Sequence, residues 1–238
     1  MATKKEIEYF SQCGQDKFLF EKIFCTKSKG FFVDVGAHDG TFISNTLALE
    51  KYKGWSGICI EPAVSSSILV KSRKSKVVPV CVGDEEFHNR IIRFRQRVPS
   101  EISTAFFDDE TGVFESDPGV YEDRNKICRT LDSILLENKC PKKIDYLSID
   151  TEGSEHRVIK DFPFEDWDVK VITIAHNHYL DNSQSNSNRK RIKKCLERKK
   201  YKLIKEFTLH ELDKENWGKD FSDGLMEDCY VHPTVKVK

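Results

Sequence analysis

The stretch Phe31–Gly40 (Phe-Phe-Val-Asp-Val-Gly-Ala-His-Asp-Gly) constrains this chain more than any other. Phe31 to Val35 is a bulky, mostly apolar run, as a strand buried on both faces requires. Gly36 and Gly40 follow, and glycine there permits a tight turn and lets a ligand approach the backbone. Helical spacing is expected from about Thr41 to Lys51, with Leu47, Ala48 and Leu49 able to face a sheet. Strand, glycine turn and helix together make a pocket at the carboxyl ends of the strands in an open α/β sheet.

Ser56 to Ile60 reads as a second buried strand, and it ends in Glu61-Pro62. An acid about 20 residues past a glycine turn suits a two-oxygen grip on ribose hydroxyls and disfavours a phosphate on that ribose. Gly36, Ala37, His38, Asp39 and Gly40 depart from the dinucleotide fingerprint. His38 and Asp39 stand where small residues would make room for a pyrophosphate, and Asp39 would repel one. Asp34 suits a cationic or zwitterionic ligand. S-adenosylmethionine, an adenosine carrying an amino acid, fits these charges better than NAD.

At 238 residues the chain is long enough for one domain with a substantial core. Lys+Arg and Asp+Glu both number 39, which argues against a general polyanion binder. The eight cysteines include no Cys-x-x-Cys pair, so zinc-type spacing is absent; Cys59 and Cys81 read as small core residues. No apolar run is long enough to span a membrane and no secretory signal is legible, so a cytoplasmic location is expected.

Taken in order, Met1–Lys29 predicts a helical cap, with a helix over Gln15–Phe24. Gln15 and Asp16 either reach the cofactor or substrate, or cap and solvate the helix. Ala63–Ser72 predicts a crossover helix, and Val77–Val82 a third strand ending in Gly83-Asp84. Residues 84–130 read as an insertion carrying substrate loops. Within it, Phe87–Val98 alternates into a basic face, either a solvated edge or a wall for an acidic acceptor, and Pro99–Asn125 has no regular pattern. Thr130 is placed to cap a short helix through Leu136. Strands are expected at Ile144–Ile149, Val169–Ile174, Tyr201–Phe207 and Asp228–His232. Asp181–Asn188 reads as a polar loop before a basic helix, Arg189–Lys200.

The chain resembles the FkbM-type family of S-adenosylmethionine-dependent O-methyltransferases. The matching segments are Ser11–Lys17, Phe32–Gly40, Ser44-Asn45-Thr46, Gly54–Gly57 running into Ile60-Glu61-Pro62, Asp145–Glu155 and the pair His176-Asn177. The resemblance implies a Rossmann-like class I methyltransferase fold, with a seven-stranded, mostly parallel sheet, its last strand antiparallel and helices on both faces. It also implies methyl transfer to a hydroxyl, commonly on a sugar or polyketide-type product. The cofactor would meet Gln15, Asp34, the Gly36–Gly40 turn, Ser44, Asn45, Glu61, Pro62, Val82 and Gly83 where the adenine would lie, Ser103 and Asp150.

A sugar hydroxyl does not ionise unaided, so the acceptor must be held near-attack and its proton removed. Asp150, Glu152 and His176, at two adjacent strand ends, are the candidate catalytic groups. In related sugar methyltransferases acids at these strand ends hold magnesium. Here Ala175 replaces the usual glutamate, leaving Asp150, His176 and Asn177 for Mg2+ or Mn2+, a thin set for a hard cation. Two other function classes stand beside this one: a catalytically silent cofactor-binding module, and a nucleic-acid methyltransferase using the basic run Arg189–Lys205, for which nucleic acid is disfavoured by the scarcity of aromatics. The partner expected is a small-molecule or glycan acceptor with a free hydroxyl; the oligomeric state is open, a homodimer included.

Overall fold

The computed structural model describes residues 6–63, 66–98, 103–107, 120–178, 183–209 and 224–237. The chain enters through α1 (Gln15–Phe18), a π turn (Leu19–Ile23), β1 (Phe31–Val35), α2 (Leu47–Lys53), β2 (Ser56–Ile60), α3 (Ser66–Ser72) and β3 (Lys76–Val78). It continues through β4 (Cys81–Gly83), a 3-10 turn, β5 (Ile91–Val98), β6 (Ser103–Phe106), β7 (Val120–Thr130) and α4 (Leu131–Glu137). It closes with β8 (Lys143–Ile149), α5 (Glu155–Lys160), β9 (Asp168–Ala175), α6 (Ser183–Arg198), β10 (Lys202–Thr208) and β11 (Leu225–Val231).

Seven strands form one sheet in the order β10-β11-β9-β8-β1-β2-β3, parallel except for β11, which runs antiparallel to both neighbours. Alternation along β1 explains the layers. Val33 and Val35 join α4, α5 and α6 through Ile134, Val158 and Ile192, while Phe32 joins α2 and α3 through Leu49 and Leu69 on the opposite face. Helices therefore cover both faces, the Rossmann-like arrangement expected from the sequence. No helix among the described residues is long and apolar enough to cross a membrane.

A second sheet, β4-β7-β5-β6, stands beside the first. Its own small core contains Cys81, Phe87, Ile92, Phe94, Phe107 and Cys128. The single third strand expected over Val77–Val82 is in fact two. Pro79 has no N–H for a ladder, the Val80 N–H turns back to the Val78 carbonyl (3.1 Å), and Cys81–Gly83 crosses to pair with β7. The irregular Pro99–Asn125 stretch holds β6 and most of β7. β7 is mostly exposed from Val120 to Ile127, so its polar composition hides an eight-pair register with β5, from Val98↔Val120 to Ile91↔Ile127.

Two helix boundaries also move. Residues 41–46 form a turn, and α2 begins only at Leu47, where the Ser44 hydroxyl accepts the Leu47 N–H (3.1 Å). Six residues of the expected Asp181–Asn188 loop belong to α6, which begins at Ser183. There the Asn188 amide donates to Glu155 Oε2 (2.7 Å), a tertiary contact that outweighs the weak helix propensity of Ser and Asn.

The closest approach in the main sheet lies at the end of β1. Gly36 has φ 86°, and a Cβ added there would lie 1.7 Å from the Asp150 carbonyl oxygen. Gly54, at φ 64°, has nothing within 4 Å of the same position. Gly36→Ala should therefore cost about 3 kcal/mol of stability, as overpacking against fixed backbone does, whereas Gly54→Ala should cost only the left-handed penalty of about 1 kcal/mol. Denaturant midpoints read the difference; equal losses would show that contact with Asp150 is not what demands glycine.

Candidate active site

A cleft of about 960 Å³ including its mouth opens at the carboxyl ends of β1, β2 and β8, roofed by the small sheet. Its floor is the glycine turn. The Gly36 and Ala37 N–H groups both point to the Ile60 carbonyl (2.9 and 3.3 Å), and the Asp150 N–H donates to the Val35 carbonyl (2.9 Å). These bonds hold three strand ends together, so residues leaving them share one cavity.

Glu61 leaves β2 into this cleft and is buried. Its Oε2 accepts the His38 N–H (2.9 Å) and its Oε1 the Ala63 N–H (2.7 Å). Burial pushes its carboxyl above the usual range, while those two N–H groups oppose the shift. A carboxylate has about four lone-pair sites, so two remain for a ligand. Asp34 is likewise buried, lines the cleft and accepts the Thr46 hydroxyl (2.6 Å). Burial raises its carboxyl, and Arg73 pulls it down. Arg73 is a fully buried cation that the sequence did not single out. It donates to the Gly40 carbonyl (3.1 Å), Ser44 Oγ (3.3 Å) and Thr46 Oγ1 (3.0 Å) and faces Glu50 (3.3 Å), fastening the turn before α2 to α3.

At the β8 end, Asp150 and Glu152 both line the cleft. Glu152 does not continue the extended backbone of β8; its φ is 57°. The loop is set by Glu155, whose Oε1 accepts the Thr151 and Gly153 N–H groups (both 3.0 Å). The Asn177 amide donates to Glu152 Oε2 (3.1 Å), and Thr104 Oγ1 donates to the Glu152 carbonyl (3.1 Å). Burial and then the neighbouring Glu155 push the Glu152 carboxyl up to about 7, against the Asn177 hydrogen bond. Asp150 is raised well above the carboxylate range, by burial first and Glu152 next.

Of the other expected contacts, Ala37, His38, Ser44, Asn45, Pro62, Val82 and Ser103 line the cleft. Asp39, Gly40, Gln15 and Gly83 do not. Asp39 Oδ1 accepts the Thr41 and Phe42 N–H groups (both 2.8 Å) and so shapes the turn. Gly40 takes φ 81°, a left-handed conformation that favours glycine. Gly83 packs against Cys128 and Phe107. Gln15 is buried, accepting the Cys13 N–H (2.8 Å) and donating to Glu227, whose other oxygen takes the amide of Asn45 (3.4 Å). Burial pushes the Glu227 carboxyl up to about 7. This acid in the middle of a largely apolar β11 was a signal within the sequence.

His176 is placed elsewhere. It is fully buried and not part of the cleft lining; its Nδ1 accepts the His178 N–H (3.1 Å) and its Nε2 faces Asp228 Oδ1 (3.4 Å). The expected metal set Asp150, His176 and Asn177 therefore does not converge, and among the described residues no group of three His, Cys, Asp or Glu side chains is placed to hold a metal ion. Arg189, at the head of the basic run, is bound to Asp228 and Glu206.

The small sheet contributes residues that a linear reading passes over. Phe94 and Ala105 line the cleft. Because β5 alternates, the Phe94 side faces inward and Arg93 and Arg95 face out, where Arg95 pairs with Asp123 (2.8 Å) and both guanidinium groups lie over the Phe106 ring (4.1 and 5.1 Å). The basic face is a solvated one, not a wall of this cleft. Phe42, Ile43, Ala63, Val80, Cys81, Ser148, Thr151 and Ser154 also line it.

Comparison with known proteins adds to this geometry. No curated protein sequence matches the chain. Among solved structures, a chain in the complex between the Haloferax volcanii Trm112 methyltransferase activator and the putative methyltransferase is similar, with a TM-score of 0.44 and 9% identity over 92% of this chain and 94% of that one. A likeness at that level leaves substrate and partners open. The methyltransferase FkbM domain matches residues 34–203, from the first strand of the cleft to the sixth strand of the main sheet, and the chain belongs to that family.

Proposed function

We propose that the chain transfers a methyl group from S-adenosylmethionine to a hydroxyl, most simply one on a sugar or glycan. The observation that carries this reading is Glu152, a cleft carboxyl held by Asn177 and pushed up to about 7, in the same cavity as the ribose-type acid Glu61.

S-adenosylmethionine supplies an electrophilic methyl on a sulfonium. The residues present suit it. Glu61 offers two free lone-pair sites to the ribose diol. Pro62, Val82 and Phe94 offer an apolar slot for a base. Asp34, Asn45, Asp150 and Glu152 surround the rest with acceptor oxygens and negative potential, which favour a ligand carrying an ammonium and a sulfonium. Glu152 is placed to accept the acceptor's proton. Its raised position makes it a stronger base than an ordinary carboxylate, while it is still substantially ionised at neutral pH. Asn177 orients it, and Glu155 fixes the loop that carries it.

Two measurements check this. Glu61→Ala should weaken S-adenosylmethionine binding by about 1.5–3 kcal/mol, the cost of losing hydrogen bonds to a charged group, with folding followed alongside; calorimetry showing unchanged affinity removes the cofactor assignment. For the base, transfer of labelled methyl should be screened against free sugars, nucleotide sugars, glycans and RNA. With the acceptor found, Glu152→Gln should lower the rate by on the order of 10²–10⁴. A base must be ionised to act, so kcat/KM should rise with pH through a midpoint near 7 and that limb should vanish in Glu152→Gln. An unaltered rate and profile would place the chemistry elsewhere.

A further inference from the structure

The turn between β1 and α2 carries two apolar side chains that the cofactor reading does not use. Phe42 is 53% exposed and Ile43 39%, yet both line the cleft. Neither is loose. On one side Asp39 Oδ1 accepts the Thr41 and Phe42 N–H groups (both 2.8 Å), and the Ser72 hydroxyl donates to the Asp39 carbonyl (2.8 Å). On the other side Ser44 Oγ accepts the Leu47 N–H (3.1 Å) and a proton of Arg73 (3.3 Å). Between these anchors Ile43 sits at φ 47°. That is a rare conformation for a β-branched residue, and it persists only where the surroundings over-determine it. A protein that holds a strained turn in order to present bare phenyl and isoleucine side chains at a cavity mouth is presenting them to something.

Position decides to what. A cofactor is largely enclosed by its pocket, and the acceptor enters last, from the open side. Phe42 and Ile43 are the exposed apolar part of the lining, whereas Asp34, Asn45 and Glu61 are buried. The His38 ring stands at 60° to the Phe42 ring with centroids 6.2 Å apart, making an aromatic corner. Beside the buried acids, Ser103 on β6 and Thr151, Glu152 and Ser154 after β8 add polar groups to the same lining. An acceptor that suits both has one apolar face and several hydroxyls. A pyranose ring has that chemistry: axial C–H groups on a face, hydroxyls around its edge. A flat phenolic acceptor would want apolar surface on both sides.

Resting on the methyltransferase reading above, we infer that Phe42, backed by His38 and Ile43, is the platform on which the C–H face of a pyranose acceptor stacks, and so determines acceptor specificity.

The test is proton NMR of methyl β-D-glucopyranoside, methyl α-D-mannopyranoside and catechol with the full chain and S-adenosylhomocysteine. A pyranoside stacked on Phe42 should show upfield ring-current shifts of its ring C–H protons. Phe42→Ala should abolish them and weaken pyranoside binding about tenfold, as loss of an aromatic contact does, and Phe42→Trp should restore both. Affinity for S-adenosylhomocysteine should be equal in all three proteins. Four results overturn the inference: no pyranoside binding to the wild type, equal binding to Phe42→Ala, preference for catechol, or loss of cofactor-product affinity in Phe42→Ala, which would assign Phe42 to the cofactor. Failure of the methyltransferase reading shows differently, as S-adenosylhomocysteine that does not bind the wild type at all.

Discussion

The cleft depends on one backbone contact, the approach of Gly36 to the carbonyl of Asp150. Only a residue without a Cβ can stand there. The contact brings the end of β1 against the end of β8, while the Gly36 and Ala37 N–H groups tie the same turn to β2. Three strand ends are thereby drawn to one point. Everything chemical in the site, from Glu61 at one end to Glu152 at the other, is positioned by that convergence.

Convergence has an electrostatic consequence. Asp34, Glu61, Asp150 and Glu152 line one cavity, with Glu227 buried behind Asn45. Burial and mutual repulsion raise these carboxyls. The fully buried Arg73 offsets part of this near Asp34 and Glu50, but it is spent on fastening the turn before α2. A cavity in this state lowers its energy by taking up a cation, whether a proton or a charged ligand. The raised Glu152 carboxyl and the acidic lining follow from the same arrangement.

The turn after β9 sends two residues adjacent in sequence to different partners. His176 follows a buried strand and precedes Asn177, beside the acids of β8. Its ring nevertheless faces Asp228 on β11, which Arg189 of α6 also holds. Asn177, at φ 53°, is the member of the pair that reaches the site, through Glu152. The antiparallel β11 thus has two inward duties, Asp228 under His176 and Glu227 under Asn45.

Local pattern was sufficient for the skeleton. Runs such as Phe31–Val35 and Ile144–Ile149 are buried on both faces, so composition alone marks them as strands, and Gly36 with Glu61 marks the strand ends where the cleft opens. Local pattern could not say which way a polar side chain turns once a strand has ended. Glu152 and Asn177 take left-handed backbone, Asp39 turns inward to its own loop, and His176 turns to a strand some fifty residues away. Those choices depend on partners distant in sequence. The same reason hid the small sheet: β7 is mostly exposed from Val120 to Ile127, so no apolar alternation betrays its pairing with β5, and Phe94 was visible as a cleft residue only when that register had been made. The sequence by itself determined the sheet, the glycine turn and the acids. Tertiary pairing decided which of those acids share a cavity, because convergence of side chains is a property of register and packing and not of spacing along the chain.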